Sequence, residues 1–317
     1  MASLKDYTAS ALALAFVSLS GWAALAGPFP ALVPLGDSTA YRSIYVHVPL
    51  STAALLSGLL AFLFGLIYLG KKKARYFALL DRSAKAAAAL SWASFVGGTA
   101  WAATSWGSAF SGDPRQLSVL AMAVLYSIYL VVKRSVEDPD RSMSISAFYA
   151  TVAFASVPVV LIAPSIFPAL HPATGTAVEA LGEPIARLLD VSMALALSLL
   201  ALYIAGARVP KPIAYLSLAI AASVAAVIGA QYLQPVYVVY GASLAGNVVV
   251  MNTSGGVLSV PLSRVDLRPL FVNGTSTLVG HLVAPNGAIV VHWSVAVNVL
   301  IAGAAILALS VSGRHEL

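Results

Sequence analysis

Long apolar stretches, one after another, constrain this chain more than any other feature. Eight of them recur, at about 9–35, 49–70, 86–103, 117–132, 144–163, 185–207, 212–232 and 292–311. Each is bounded by charges or prolines. A helix needs about 20 apolar residues to cross a bilayer, and a spanning segment must satisfy its backbone polar groups internally. With 60% hydrophobic and only 9% charged residues, the chain has too little polar surface to cover a soluble body of 317 residues. Typical soluble domains carry about 25% charged residues. The expected fold class is therefore all-α and polytopic, with about eight transmembrane helices. The first run lacks a small-x-small cleavage site, so it is expected to be a retained helix, broken near Gly27-Pro28.

One segment departs from the pattern. Residues 236–291 are rich in Val, Gly, Asn, Ser and Thr with alternating apolar positions. Asn247–Met251 and Val257–Val260 flank Ser254-Gly255-Gly256, and Thr277–Val283 and Ala288–Val291 flank Pro285-Asn286-Gly287. Both pairs predict hairpins. A small β module is thus expected between the seventh and eighth spans. It divides the chain into a six-helix membrane domain, 1–208, and an extension, 209–317. The sequons at Asn252 and Asn273 are compatible with an outer location.

Basic residues orient the chain, because Lys and Arg concentrate in cytoplasmic loops. With the N-terminus inside, only Arg42, Arg115, Arg187, Arg264 and Arg268 of the 18 Lys and Arg fall outside. Both termini are then cytoplasmic. The loops around His47, Trp101–Arg115 and His171, and the β module, all share the outer face. The net charge of +6 reflects this loop bias and points to membrane lipid rather than nucleic acid. The absence of cysteine excludes disulfides, thiolate metal sites and a c-type haem attachment.

Three outer segments carry candidate chemistry. Arg42-Ser43-Ile44-Tyr45-Val46-His47-Val48-Pro49 opens the second span, with Val48-Pro49 expected to mark the helix start. His171 stands in Pro168-Ala169-Leu170-His171-Pro172. Between them runs Gly97-Gly98, Trp101, Trp106, Phe110, Asp113 and Arg115. Taken singly, each histidine reads first as an ordinary interfacial residue, and the aromatic residues as a membrane belt. Together they suggest a haem site. Neutral imidazoles from two helix ends can ligate iron from opposite faces. Trp101, Trp106 and Phe110 offer a surface for the porphyrin. Arg115 and Arg42 offer forked donors to its propionates, and Asp113 can orient Arg115 or cap the next helix. His281 and His292 remain competitors as ligands.

These residues resemble the haem-handling proteins of cytochrome c biogenesis, of the CcmC type, over roughly residues 10–208. Tyr45-Val46-His47-Val48-Pro49 is similar to the family's Tyr-x-His-Val-Pro segment, which supplies one axial histidine. Trp101, Trp106, Gly107, Asp113 and Arg115 fall on positions of its Trp-rich (WWD-like) loop. Leu170-His171, preceded by Val157-Pro158-Val159-Val160, matches the segment supplying the second. Ala109, Phe110 and Gly112 stand where three further tryptophans would be expected, so the aromatic floor is thinner. The resemblance implies a non-enzymatic, multi-pass protein of a prokaryotic cell membrane. It would bind haem b non-covalently and transiently at the outer face, taking part in haem transport. Its partners would be an ABC-type transporter and a haem chaperone.

The family ordinarily ends after six spans. The extension here is similar in outline to the pathway's haem chaperone, an anchored OB-type barrel, with Leu267–Gly274, Gly280, Gly287 and His292 as points of likeness. The chaperone's His-x-x-x-Tyr attachment is missing, since Ala296 stands four residues after His292. A β cap is the other reading. Two functional alternatives remain. A secondary transporter would carry mid-membrane charges and internal repeats, and neither is evident. A membrane haem lyase would need a place for apocytochrome thiols.

Overall fold

The structure is a computed structural model describing residues 2–30, 33, 36–171, 182–264, 271–272, 275–276 and 278–312. Nine helices and six short strands lie within these residues. The helices are α1 (Leu4–Ala26), α2 (Ile44–Lys71), α3 (Ala74–Trp106), α4 (Pro114–Arg134), α5 (Pro139–Ala153), α6 (Ser156–Ile166), α7 (Glu183–Ile204), α8 (Lys211–Ala230) and α9 (Trp293–Ser312). The strands are β1 (Tyr237–Ala245), β2 (Val248–Thr253), β3 (Gly256–Pro261), β4 (Phe271–Val272), β5 (Thr275–Ser276) and β6 (Leu282–Val283). Asn273, the stretch 265–270, Pro172 and the tail with Arg314 and His315 lie outside the described residues.

Seven stretches are long and apolar enough to cross a membrane, α5 and α6 counting as one. Helix α3, 33 residues long, supplies the eighth expected span; its N-terminal part carries Arg75, Asp81, Arg82 and Lys85. The protein is a multi-pass membrane protein, as its hydropathy dictates. Helix α3 runs through the middle, packed against α2, α4 and α9. The core is built from small residues, with Ala13, Ala61, Ala84, Ala86, Ala87, Ala147 and Ala214 fully buried. In lipid, small side chains let helices approach closely and gain van der Waals contact.

Two helix boundaries differ from expectation. Helix α2 begins at Ile44, five residues before Pro49, and a 3-10 turn over Ser38–Ser43 leads into it. Asp37 starts that turn, its Oδ1 accepting the Thr39 N–H at 2.7 Å. His47 therefore stands inside the first turn of the helix rather than ahead of it. The fifth span is broken at Phe154-Ala155 into α5 and α6. Pro158 explains the break. It has no N–H to give the Phe154 carbonyl four residues back, and its ring crowds that carbonyl.

The β module sits between α8 and α9 as an antiparallel sheet in the order β3-β2-β1-β6, with β4 and β5 pairing separately. The first expected hairpin is present, Met251 facing Leu258 and Thr253 facing Gly256. The second shrinks to β6 and one bridge, Val283 to Ile289, around a turn whose Gly287 has φ +82°. Val239, Val249, Met251, Val260, Leu278 and Val283 form the module's core, and Phe29, just past α1, packs against it. The module is thereby seated on the bundle end where α1 stops and α2 starts.

At the opposite end, Asp81 is buried. It takes Lys85 and Lys133 at 2.7 Å each, and its Oδ1 accepts the Tyr129 hydroxyl at 2.9 Å. A buried carboxylate needs such partners.

Candidate functional site

The segment leading into α2 is fastened to the end of α1. Arg42 donates from Nε to the Gly27 carbonyl at 2.8 Å and from Nη1 to Ala24 and Leu25 carbonyls at 3.2 and 3.0 Å. These are the carbonyls a helix C-terminus leaves without partners, and a cation is favoured there. The same guanidinium lies 4.7 Å from the Phe29 ring centroid, and the Tyr45 hydroxyl donates to the Pro28 carbonyl at 2.7 Å. Arg42 is thus engaged with α1.

This anchoring sets His47 against α3. Its ring lies on bare backbone: a Cβ on Gly98 would stand 2.9 Å from His47 Cε1, closer than a side chain and a ring can approach. Trp101 meets the imidazole edge-on with centroids 5.8 Å apart, and Tyr41 meets Trp101 at 5.4 Å. His47 Nδ1 and Trp101 Nε1 are both buried with no partner in the protein. Unsatisfied buried polar atoms are rare and call for a reason.

The second half of the site is organised by Asp113. Helix α3 ends at Gly107, in the left-handed region at φ +73°. Helix α4 then starts with Pro114 in its first turn and Asp113 as its cap, Oδ1 accepting the Arg115 N–H at 2.9 Å. The intervening loop is held by Gln116. Its Oε1 accepts from Ser111 N and Oγ, both at 3.2 Å, and its Nε2 donates to the Ala109 carbonyl at 3.0 Å.

Asp113 also captures the His171 segment. Oδ2 accepts the N–H groups of Leu170 at 2.7 Å and His171 at 3.3 Å, and Oδ1 lies 2.9 Å from His171 Nδ1. An ionised carboxylate only accepts, so Nδ1 carries the proton and Nε2 presents its lone pair. A carboxylate behind the imidazole is the usual support for a metal-ligating histidine. Burial drives the His171 pKa down, opposed by Asp113, and burial prevails, so the ring stays neutral. Burial would raise the Asp113 carboxyl, but the His171 bonds and charge and the Leu170 N–H hold it below its usual value.

The two halves meet around the last two turns of α3. Trp101 faces His47, and Trp106 faces His171 edge-on with centroids 4.7 Å apart. His47 lies within electrostatic reach of both His171 and Arg115. Phe110 is 49% exposed and packs on Phe95.

The other described histidines are placed differently. His281 is buried beside Phe29, with the Val279 backbone near its ring. His292 Nδ1 accepts the Ser294 N–H at 3.2 Å, so its neutral ring carries the proton on Nε2 and has no lone pair there to give. Burial lowers both to about 4. Among the described residues no group of three or more His, Asp or Glu gathers for a bare metal ion. Two imidazoles suit an iron whose remaining positions a porphyrin fills.

Sequence reasoning passed over Gly98 as a floor for His47 and Gln116 as the fastener of the loop. Two adjacent glycines inside an apolar span were the available signal for the first; nothing local marked the second.

No match to the chain is found among curated proteins. The sequence model of CcmC, described as heme exporter protein C, matches residues 2–214. That match covers about two-thirds of the chain and contains both histidines, the tryptophans, Asp113 and Arg115. The chain thus belongs to the CcmC family of haem-handling membrane proteins, and carries after the matched region a C-terminal extension.

Proposed function

We propose that this protein holds haem b at the outer face of a prokaryotic cell membrane, with His47 and His171 as the two axial ligands, and releases it to a haem chaperone. The family is one of non-catalytic haem handlers, so the protein's task is to bind, orient and let go. The observation that carries the reading is the Asp113–His171 pair, which fixes the ring and leaves Nε2 free to ligate. His47, seated on Gly98 with Trp101 beside it, is the complementary ligand. The residues present fit the group, since each imidazole is braced and the two buried polar atoms, His47 Nδ1 and Trp101 Nε1, lie in the same place.

Haem supplies the iron and the flat apolar ring that the pathway moves. The chain supplies the rest. Trp101 and Trp106 flank the two imidazoles, and Arg115 is the nearer forked donor for a propionate. Arg42 serves a propionate only by sharing its guanidinium with the α1 carbonyls. His171, 22% exposed at its side chain and held by a loop rather than a helix, is the side from which release begins. Residues 1–208 make the haem-handling domain and 209–317 the extension. Both termini are cytoplasmic. An ABC-type transporter and the haem chaperone are the partners the family implies.

The test is spectroscopic. Purified protein supplied with haem is expected to show a six-coordinate, low-spin spectrum. His47→Ala and His171→Ala should each lose it and bind haem more weakly. Wild-type haem content and spectrum in both variants would exclude the pair.

A further inference from the structure

The extension is not an appendage to the bundle. Its last helix, α9, is the most enclosed of the seven stretches apolar enough to cross a membrane, 56% buried over its most apolar part against 22–44% for the other six. It packs on α8, α3 and α1. On its inner face, two turns below the β module, stands a single amide, Asn298, 1% exposed.

Asn298 touches α3 at bare backbone. Its Nδ2 donates to the Gly97 carbonyl at 3.2 Å and to the Ser294 carbonyl at 3.0 Å. Its Oδ1 would lie 2.5 Å from a Cβ on Gly97, and is itself buried without a partner. An unpaired amide oxygen in an apolar bundle costs free energy, and the two bonds from Nδ2 offset that cost, one of them by holding α9 to α3. Gly97 and Gly98 are adjacent and point about 100° apart around the helix. One receives Asn298 from α9; the other receives His47 from α2. The two contacts lie at nearly one level on two neighbouring flanks of α3. Each depends on α3 keeping its rotation and height.

The neighbouring ties agree. On the α2 side, Ser51 Oγ donates to the His47 carbonyl at 2.7 Å and lies 2.6 Å from Ser94 Oγ. On the α9 side, His292 Nδ1 lies 2.9 Å from Thr104 Oγ1, and the His292 N–H donates to Thr39 Oγ1 at 3.0 Å.

We propose that Asn298 is a positioning residue for His47: by clamping α3 at Gly97 it keeps Gly98 beneath the imidazole, so that the extension completes the haem site. The proposal rests on the reading of His47 as an axial ligand. Without the clamp α3 can shift, Gly98 leaves its place, and His47 loses the floor that aims it.

The experiment uses full-length protein, wild type and the variants Asn298→Ala, Asn298→Ser, Gly98→Ala and His47→Ala, titrated with haem and followed by absorption. Asn298→Ala and Gly98→Ala are expected to weaken haem binding by about tenfold or more, the usual effect of losing a ligand's support. Their spectra should shift toward that of His47→Ala. Added imidazole should restore the six-coordinate spectrum of haem that stays with the protein through gel filtration, a step that removes free bis-imidazole haem and aggregated chain. Asn298→Ser, small and still a donor, should recover part of the loss. A second readout needs no haem: carbethoxylation of His47 by diethylpyrocarbonate, mapped by mass spectrometry, should be several-fold faster in Asn298→Ala. A folded Asn298→Ala with wild-type affinity, spectrum and His47 reactivity overturns the proposal. Should Asn298→Ala fail to fold, wild-type behaviour of both Gly98→Ala and Asn298→Ser overturns it. If His47→Ala leaves the spectrum unchanged, the ligand reading fails, and the His47 reactivity alone then decides the positioning role.

Discussion

Asp113→Asn is the most informative single change, because it keeps the shape of the side chain and removes half its function. The carboxylate accepts four bonds, from the N–H groups of Arg115, Leu170 and His171 and from His171 Nδ1. An amide has one oxygen. Whichever way it turns, two of the four donors face an NH2 group instead of an acceptor. A hydrogen bond to a charged group contributes about 1.5–3 kcal/mol. Two lost at the lower figure, allowing for relaxation of the loop, give about 3 kcal/mol against docking of the His171 segment. About 1.4 kcal/mol of that reaching the haem equilibrium is a tenfold loss of affinity. The assay is a haem titration followed at the Soret band, with His171→Ala as the reference for a missing ligand. Asp113→Asn is expected to fall between wild type and that reference and to shift toward it in spectrum. An Asp113→Asn protein with unchanged affinity, spectrum and thermal stability would refute the claim that Asp113 aims His171.

Haem binding should tolerate mild acid. The His171 pKa is depressed by burial below its ordinary 6.5, so its imidazole is neutral and able to ligate through that pH; the folded state resists protonation that the unfolded chain accepts, and stability falls as pH drops below 6.5. Titrations between pH 5 and 8 check this, and a loss of binding centred near the ordinary histidine value would contradict it. Arg42→Ala removes three bonds to the end of α1; the haem-free protein should lose about 2–4 kcal/mol of stability, read as a lower melting temperature in detergent. Asp81→Asn leaves Lys85 and Lys133 without their carboxylate at a buried position, and a loss of about 3–5 kcal/mol is expected, with the haem spectrum unchanged in whatever protein folds. Trp101→Phe removes an indole N–H that has no partner in the protein, so the haem-free form should keep its stability while haem affinity falls.

Much of this architecture is written locally in the chain. A span is declared by its own residues, since lipid tests each segment's hydropathy separately. The change from helical runs to alternating Val and Thr at 236–291 announced the β module in the same way. Short-range chemistry was harder to read where two signals competed. Pro49 marks a helix start in isolation, yet Asp37 caps a turn that carries the helix back to Ile44. The second expected hairpin kept its turn but lost most of its ladder: Leu282 is taken up by Val238 of β1, and Val239 bonds to His281 and Gly280.

The sequence by itself determined that this chain lives in a membrane, which segments cross it, and which residue types could meet a haem. It did not determine which of those residues meet one another. The Asp113–His171 bond spans 58 positions and the Asn298–Gly97 bond spans 201; neither has a local signature. Tertiary structure decided that Arg42 caps α1, that Phe110 packs on Phe95, and that His171 rather than His292 offers a free Nε2. The physical reason is that hydropathy is a property of a segment, whereas a histidine's tautomer and the place of its ring are set by the partner packed against it. For His47 that partner is an absence of side chain, at Gly98.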